Sequence, residues 1–398
     1  MVVPMSASLP VLRELALRNI LSFGPNTQPL ALNALNIFIG PNGSGKSNFI
    51  DAIAALRSCA VSENNVREVV SSSGQVGEWI WKGRPKSPGE INAVIENPPG
   101  AKPLRHVFAF RNVGHAFKLD DERVENETPN VGQRDAYFYY RFQKGDPVLN
   151  VQDVARHLER ENVQLDVSIL AQRRDPETYP EVSYLADLYS RVRIYREWQF
   201  GRNTVFRLPQ RADLRTDRLM EDFSNLGLVL SRMRRTPRVR HEMVERLQDL
   251  YEGIDDFDVS IEGGSVQVFF TEGDFSLAAT RLSDGTLRYL CLLAVLCDPE
   301  PPPLICIEEP ELGLHPDVLP KLADLMVDAS QRTQLIVTTH SDILVDAMTE
   351  RPESVVVCEK HGGQTSMKRL DRQELATWLE KYRLGELWTR GELGGTRW

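Results

Sequence analysis

The stretch Gly40-Pro41-Asn42-Gly43-Ser44-Gly45-Lys46-Ser47 decides how this chain is read. It satisfies the phosphate-loop pattern G-x-x-x-x-G-K-[ST] at every fixed position. Glycines at 40, 43 and 45 allow backbone dihedrals that a side chain forbids, so successive N–H groups can turn inward on phosphate oxygens. Asn42, Ser44 and Asn48 complete the candidate cradle. Before the loop, the apolar run 35–39 predicts a strand; after it, Asn48-Phe49-Ile50-Asp51-Ala52-Ile53 predicts a helix that begins near Lys46 and reaches about Arg57. The positive end of that helix adds to an anion site. Lys46 is placed to reach β- and γ-phosphates as a point charge, and the Ser47 hydroxyl to ligate Mg²⁺. A Gly-rich turn before an ordinary helix is the bland alternative; the strand-like and helix-like flanks argue against it.

Composition sets the frame around that loop. The 398 residues have room for a large core and for about two or three domains. Net charge is −9, with a pI near 5.5, so the whole-molecule field repels phosphate backbones and any nucleic-acid site has to be a local patch. Cys59, Cys291, Cys297, Cys306 and Cys358 are scattered without a C-x-x-C pair, which argues for free thiols in a reducing cytosol and against a disulfide frame or zinc. No apolar stretch approaches the length of a membrane span. The first basic residue is Arg13, so the start lacks a secretory pattern, residues 1–10 read as a loose tail, and the expected compartment is the cytoplasm.

Upstream of the loop, 12–17 and 30–39 read as strands separated by the turn Gly24-Pro25-Asn26. Downstream, Gly74, Gly77, Gly83, Pro85, Pro88 and Gly89 punctuate short segments, and 90–96, 104–111 and 136–142 read as strands joined by the polar stretch 120–134. This predicts an antiparallel, hairpin-rich insertion, in which Trp79 and Trp81 are either core or candidates for packing beside a nucleotide base. Helical periodicity returns at 184–198, 218–230 and 239–251. Between Arg191 and Arg240 lie thirteen arginines, no lysine and five acids, a balance of +8 that leaves −17 elsewhere. With Tyr195, Trp198, Phe200 and Phe206 interleaved, that segment is either a DNA or acidic-partner surface or a set of ion-paired helix faces.

The far half of the chain supplies the remaining chemistry. Arg281-Leu282-Ser283-Asp284-Gly285-Thr286 precedes the apolar run 287–297, a capped helix start that makes a second anion site. Leu304-Ile305-Cys306-Ile307-Glu308-Glu309 follows a Pro-rich turn and reads as a central parallel strand ending in two carboxylates. Then come Pro310-Glu311-Leu312-Gly313-Leu314-His315-Pro316, a helix over 316–331, a strand over 334–338 and Thr339-His340-Ser341.

These motifs, in this order, resemble the ABC-class ATPases, and I-E-E-P-E-L-G-L-H-P with T-T-H-S most resemble the RecF-like and OLD-like AAA-type branch, relatives of the SMC proteins. The resemblance is specific over 11–60 and 280–360. It implies an α/β, ABC-class P-loop nucleotide-binding fold with an antiparallel β insertion and a helical signature lobe. It also implies ATP and Mg²⁺ as ligands, Glu308 as the magnesium-side carboxylate acting through water, Glu309 as general base, and His340 as a γ-phosphate switch. Ser283 and Gly285 would complete the site of a second copy, which implies a homodimer or larger assembly. Two features depart from the family. Glu308 stands where many ABC proteins have Asp, and Asp284 where transporters have Gly, a negative charge facing the γ-phosphate. Gln75 and Gln172 are both candidates for a glutamine loop. Glu311 reads as a structural charge, and His315 as a loop residue or a protomer contact.

The expected domains are the ATPase core (11–60 and 280–398), the β insertion (61–170) and an arginine-rich helical lobe (171–279). At the end of the chain, 354–359 and 365–370 read as strands and 371–382 as a helix opened by a capping box. The tail L-G-E-L-W-T-R-G-E-L-G-G resembles the end of a group of bacterial stand-alone ATPases. Only about sixty residues follow His340, too few for the C-terminal nuclease domain of OLD-family proteins. Two functions are expected from this sequence: ATP hydrolysis coupled to DNA repair or anti-phage defence, or a slow nucleotide-loaded scaffold that holds a separate effector or nuclease protein.

Overall fold

In the computed structural model, Leu35–Ile39, Leu304–Glu308 and Gln334–Thr338 run parallel at the centre of a six-stranded sheet. Its order is Arg193–Tyr195, Leu304–Glu308, Gln334–Thr338, Leu35–Ile39, Val355–His361, Gln364–Arg369, with only the last strand antiparallel. The structure describes residues 10–61, 65–72, 75–100, 102–143, 146–151, 157–159, 163–164, 166–198, 201, 204, 207–251 and 253–395. Most of the expected N-terminal tail, and Phe200 and Phe206, lie outside the described residues.

Side chains alternate across this sheet with the period of two that a strand imposes. Phe38, Leu304, Cys306, Ile336, Val356 and Cys358 face the helix Lys46–Cys59 and, beyond it, a second sheet. Ile37, Ile39, Ile305, Ile307, Leu335, Val337, Val355 and Val357 face the other layer, which holds the helices Asp284–Leu296, Leu319–Ala329, Leu226–Arg234 and Pro237–Leu250. Each large side chain so buried contributes about 1.5–3 kcal/mol. All five cysteines are free and buried, as small apolar residues of these layers.

The second sheet is antiparallel and eight-stranded: Leu30–Ala31, Leu12–Arg18, Gly89–Ile95, Leu104–Val113, Ala116–Asn126, Phe138–Gln143, Asp146–Val151, His157–Glu159. Three segments differ from the sequence reading. The run 30–39 is two strands in two sheets, because Asn36 accepts from Asn33 N–H at 2.9 Å and donates to Asn33 O at 2.6 Å, a local turn that competes with extension. The polar stretch 120–134 begins inside the strand Ala116–Asn126, whose charges pair across and along the sheet, Arg105 with Glu125 at 2.9 Å and Arg123 with Asp121 at 3.1 Å. The middle of the chain, besides its helices, supplies the core sheet's edge strand and a small antiparallel sheet of Gln210–Arg211, Asp256–Glu262, Ser265–Glu272 and Phe275–Ala278. Sequence blocks and sheets therefore do not coincide: Leu12–Arg18 lies in the antiparallel sheet and Arg193–Tyr195 in the parallel one.

The two sheets are tied by one buried side chain. Gln334 accepts from Leu12 N–H at 2.8 Å and donates to Leu12 O at 2.8 Å and Asn33 O at 3.1 Å. Gln334→Ala leaves Leu12 N–H and Leu12 O buried and unpaired, while Asn33 O keeps its bond from Asn36, so a loss of about 2–4 kcal/mol is expected in chemical denaturation; a loss below about 0.5 kcal/mol would show that the tie carries no weight.

Candidate functional site

The phosphate loop follows the strand Leu35–Ile39 and depends on its glycines for two different reasons. Gly40 has φ 145° and Gly45 φ 106°, and a Cβ at either would lie 2.2 Å from Cys358 O or 2.3 Å from Thr365 Oγ1. Gly43, at φ 74°, has nothing within 4 Å of a Cβ, so there the dihedral alone demands glycine. Beneath the loop, Asn48 Nδ2 donates to Ser22 Oγ at 2.8 Å, Ser22 Oγ lies 2.7 Å from Thr365 Oγ1, and Thr365 donates to Ser44 O at 2.7 Å. Asn42, Gly43 and Ser47 are exposed on the face above.

Four features of this loop fit a phosphate chain with magnesium. Helix Lys46–Cys59 begins without a side-chain cap. Ser44 Oγ is buried with no hydrogen bond among the described residues. Lys46 Nζ folds back onto Gly40 O at 2.8 Å and Pro41 O at 3.1 Å, and its burial lowers its pKa, opposed in part by Cys358, Glu309, Glu311 and Glu308. Glu308 Oε1 accepts no hydrogen bond among the described residues either. A nucleotide's anionic oxygens would satisfy the first three groups and a cation the fourth. Among the described residues no cluster of three or more His, Cys, Asp or Glu is grouped to hold a metal, so an ion held by Ser47 and Glu308 would draw its remaining ligands from phosphate and water.

The acidic side is built at the end of Leu304–Glu308. Burial raises the Glu308 carboxyl above its ordinary pKa, while Arg196, 3.7 Å away, pulls it down. Arg196 is itself held by Asp51 at 2.7 Å, from the phosphate-loop helix. Glu309 sits in the left-handed region at φ 46°, a conformation that costs about 1–3 kcal/mol in a non-glycine residue. Three hydrogen bonds hold it there: its N–H donates to Thr338 O at 2.9 Å, and its carbonyl accepts from Leu312 N–H at 3.2 Å and from Arg288 Nη2 at 2.5 Å. The twist brings Glu309 Oε1 to 3.6 Å from His340 Nε2. Glu311, read as structural, accepts from His340 N–H at 2.7 Å and Thr339 Oγ1 at 2.8 Å and so fixes the histidine's turn.

Ser283 caps the helix Asp284–Leu296, accepting from Thr286 N–H at 3.1 Å, and remains exposed. Gly285 passes so close to Gly313 that a Cβ would lie 2.9 Å from its carbonyl oxygen. The added charge of Asp284 is met by Arg207 at 2.6 Å, which holds the carboxyl below its usual range. Arg288, fully buried, stacks 4.2 Å over Trp198, whose indole N–H donates to Glu308 O at 2.8 Å. Burial takes Arg288 down to about 10. Sequence reasoning missed Arg196, Arg288 and Trp198 as members of this site. The one available signal was Arg288, a lone charge inside an apolar helix that has to find partners.

Other candidates sit elsewhere. Gln172 is bonded to Gln164 and to Val167 O, and Gln75 is exposed ahead of a short helix. Trp79 is core, and Trp81 donates to Gly363 O at 3.2 Å. His315 is exposed beside Asp317. Of the twelve described arginines in 191–240, eight form ion pairs with carboxylates: Arg191, Arg196, Arg207, Arg211, Arg215, Arg232, Arg234 and Arg240. Much of the apparent basic patch is therefore neutralised in place.

A parallel sheet of this order, with the phosphate loop after a central strand and paired glutamates two strands away, defines an ABC-class P-loop ATPase fold. The Smc head bound to the C-winged helix domain of ScpA matches with a TM-score of 0.56 at 15% identity, over 92% of this chain and 100% of that one. The Smc head with an extended coiled coil bound to the C-terminal domain of ScpA, from Pyrococcus furiosus, matches at 0.53 and 14% identity, over 94% and 99%. The Smc head with a coiled coil and joint from Pyrococcus yayanosii matches at 0.50 and 13%, over 94% and 99%. At such identities the likeness is one of fold. The chain belongs to the family described as "AAA domain, putative AbiEii toxin, Type IV TA system", which it matches over residues 35–346. No curated protein matches it in sequence.

Glu311 gives this site a pH signature. Burial, its largest influence, raises its pKa, so its contribution to stability is full below the unfolded carboxylate range and is lost as pH rises through the folded value. Glu311→Gln removes that titration. The Tm advantage of the variant over the wild type is expected to widen as pH rises above the unfolded carboxylate range, about pH 4, followed by scanning calorimetry without nucleotide; a constant difference sinks the assignment.

Proposed function

We propose that this protein hydrolyses ATP with Mg²⁺ at composite sites of a homodimer or larger assembly. The observation that carries the reading is the strained Glu309, turned toward His340 at the sheet end that also bears the phosphate loop. In this reading Gly40, Asn42, Gly43, Ser44, Gly45 and Asn48 form the phosphate cradle, and Lys46 exchanges its loop carbonyls for β- and γ-phosphate oxygens. Ser47, and Glu308 through water, would hold magnesium, which would supply charge neutralisation on those oxygens. Glu309 takes the proton of the attacking water as the bond from the γ-phosphorus to the β–γ bridging oxygen breaks, and His340 contacts the γ-phosphate. Ser283 and Gly285 of a second copy close over the nucleotide. The pairing of Asp284 with Arg207 favours this closure, because it removes the negative charge that would oppose it.

A defence role is favoured over repair, since the family's description names a toxin of a type IV toxin–antitoxin system. The same words favour the second reading, a slow ATPase that holds and releases a separate effector protein. Five buried free cysteines agree with a cytoplasmic setting, and among the described residues no helix is long and apolar enough to cross a membrane.

Lys46→Ala should weaken ATP binding by about tenfold or more, and Glu309→Gln should keep binding while turnover falls by about 10²–10⁴; fluorescent-nucleotide titration and phosphate release separate the two. Glu309→Gln with undiminished turnover refutes the base assignment, and Glu309→Gln with full biological activity selects the scaffold reading. DNA contact through 191–240 rests on the exposed Arg235 and Arg238. Reversing both charges should lower DNA affinity and reduce its salt slope by about 2, and an unchanged slope removes DNA from the proposal.

A further inference from the structure

The last described residues return to the phosphate loop. Gly395 is buried, and a Cβ on it would lie 3.4 Å from Gly40 Cα, 3.4 Å from Cys358 O and 2.8 Å from Val357 Cγ1. Gly394 and Gly395 both hold left-handed dihedrals, φ 76° and 58°, and a Cβ on Gly394 would lie 2.9 Å from Glu359 Oε1. The segment is anchored at both backbone groups of Gly395: its N–H donates to Glu359 Oε1 at 2.9 Å, and its carbonyl accepts from the buried Trp388 indole at 2.9 Å. That N–H also holds the Glu359 carboxyl below its usual range.

At its other end the same segment grips the turn that carries His340. Helix Leu384–Thr389 packs on helix Asp342–Asp346, which starts two residues after the histidine. A Cβ on Gly385 would lie 2.3 Å from Asp342 O, and Gly385 N–H donates to Asp346 Oδ1 at 2.6 Å. Between the two grips the chain reverses at Gly391, φ 83°, where Glu392 N–H bonds to Leu387 O and Gly391 N–H to Trp388 O, both at 3.0 Å, a Schellman end. Short, hydrogen-bonded and glycine-fitted at both contacts, this segment has little room to move at one end without disturbing the other.

We propose that residues 384–395 form a strap that positions both halves of the nucleotide site, Gly395 setting the first turn of the phosphate loop and Gly385 setting the turn of His340. The proposal rests on the nucleotide reading above. Gly395 packs behind Gly40, whose carbonyl holds Lys46 at 2.8 Å; a side chain at 395 would crowd Val357 Cγ1 at 2.8 Å and strain the left-handed φ of 58°, so the tail it displaces alters the cradle that receives phosphate. Gly385 presses on the helix that begins at Asp342, so a side chain there displaces the switch and leaves the cradle alone. By linkage, a nucleotide that tightens the cradle also tightens the tail.

The test is a split between binding and turnover in the full-length protein. Gly395→Ala is expected to raise the KM for ATP and the dissociation constant for a fluorescent ATP analogue about tenfold, with kcat changed less than about threefold. Gly385→Ala is expected to lower kcat about tenfold and leave affinity within about threefold. If either variant fails to fold by circular dichroism, Glu359→Ala and Asp346→Ala read the same two ends. Wild-type values in both variants, or equal losses in both parameters in both, overturn the strap and leave the nucleotide reading standing. If the wild type binds ATP without turning it over, the affinity arm decides: the tail-end variant alone must weaken. A wild type that binds no ATP overturns both proposals.

Discussion

The carbonyl oxygen of Cys358 occupies the place that a side chain at position 40 would need, 2.2 Å from an ideal Cβ. This close approach of two backbones lets the phosphate loop turn directly off a central strand, and the rest of the site is arranged around it. The loop's next fixed point, Gly45, is hemmed by Thr365 and Ser22 in the same way, so the chain enters and leaves the turn through gaps that only glycine fits. Between them Gly43 is open to the face where a ligand would lie. Hydroxyls and amides from residues 22, 48 and 365 then satisfy the underside, and the upper side is left for a ligand.

A second constraint is charge. Bringing Lys46, Glu308, Glu309 and Glu311 to one sheet end requires partners for carboxylates that burial would otherwise neutralise, and removing one partner of a buried pair costs about 3–5 kcal/mol. Arg196, itself paired with Asp51, meets Glu308, backbone and hydroxyl donors meet Glu311, and Arg207 meets Asp284. Arg288 joins the helix Asp284–Leu296 to the carbonyl of Glu309 and, through Trp198, to that of Glu308. That helix and the strand end bearing the acids are thus joined through Arg288 and Trp198.

Much of this was written locally. The phosphate loop, the strand ending in paired glutamates and Thr339-His340 follow from residue type and spacing, because glycine dihedrals, apolar runs and helix caps act over a few residues. Glu311 was legible as structural for the same reason. The basic appearance of 191–240 misled in part, since counting charges says nothing of which carboxylates come near. The strand at 116–126 was hidden because its polar residues read as a linker, whereas packing buries Glu122, which accepts from Ile169 N–H, and pairs Glu125 with Arg105 across the sheet.

By itself, then, the sequence determined the class of fold and the chemical types gathered for the site, because those depend on short-range patterns. Tertiary structure alone decided which groups meet: Asp51 with Arg196, Gln334 with Leu12, Gly395 with Gly40. Each of these contacts joins residues more than a hundred positions apart. It exists only because sheet order and close packing place them together, and neither of these is recorded in any local stretch of the chain.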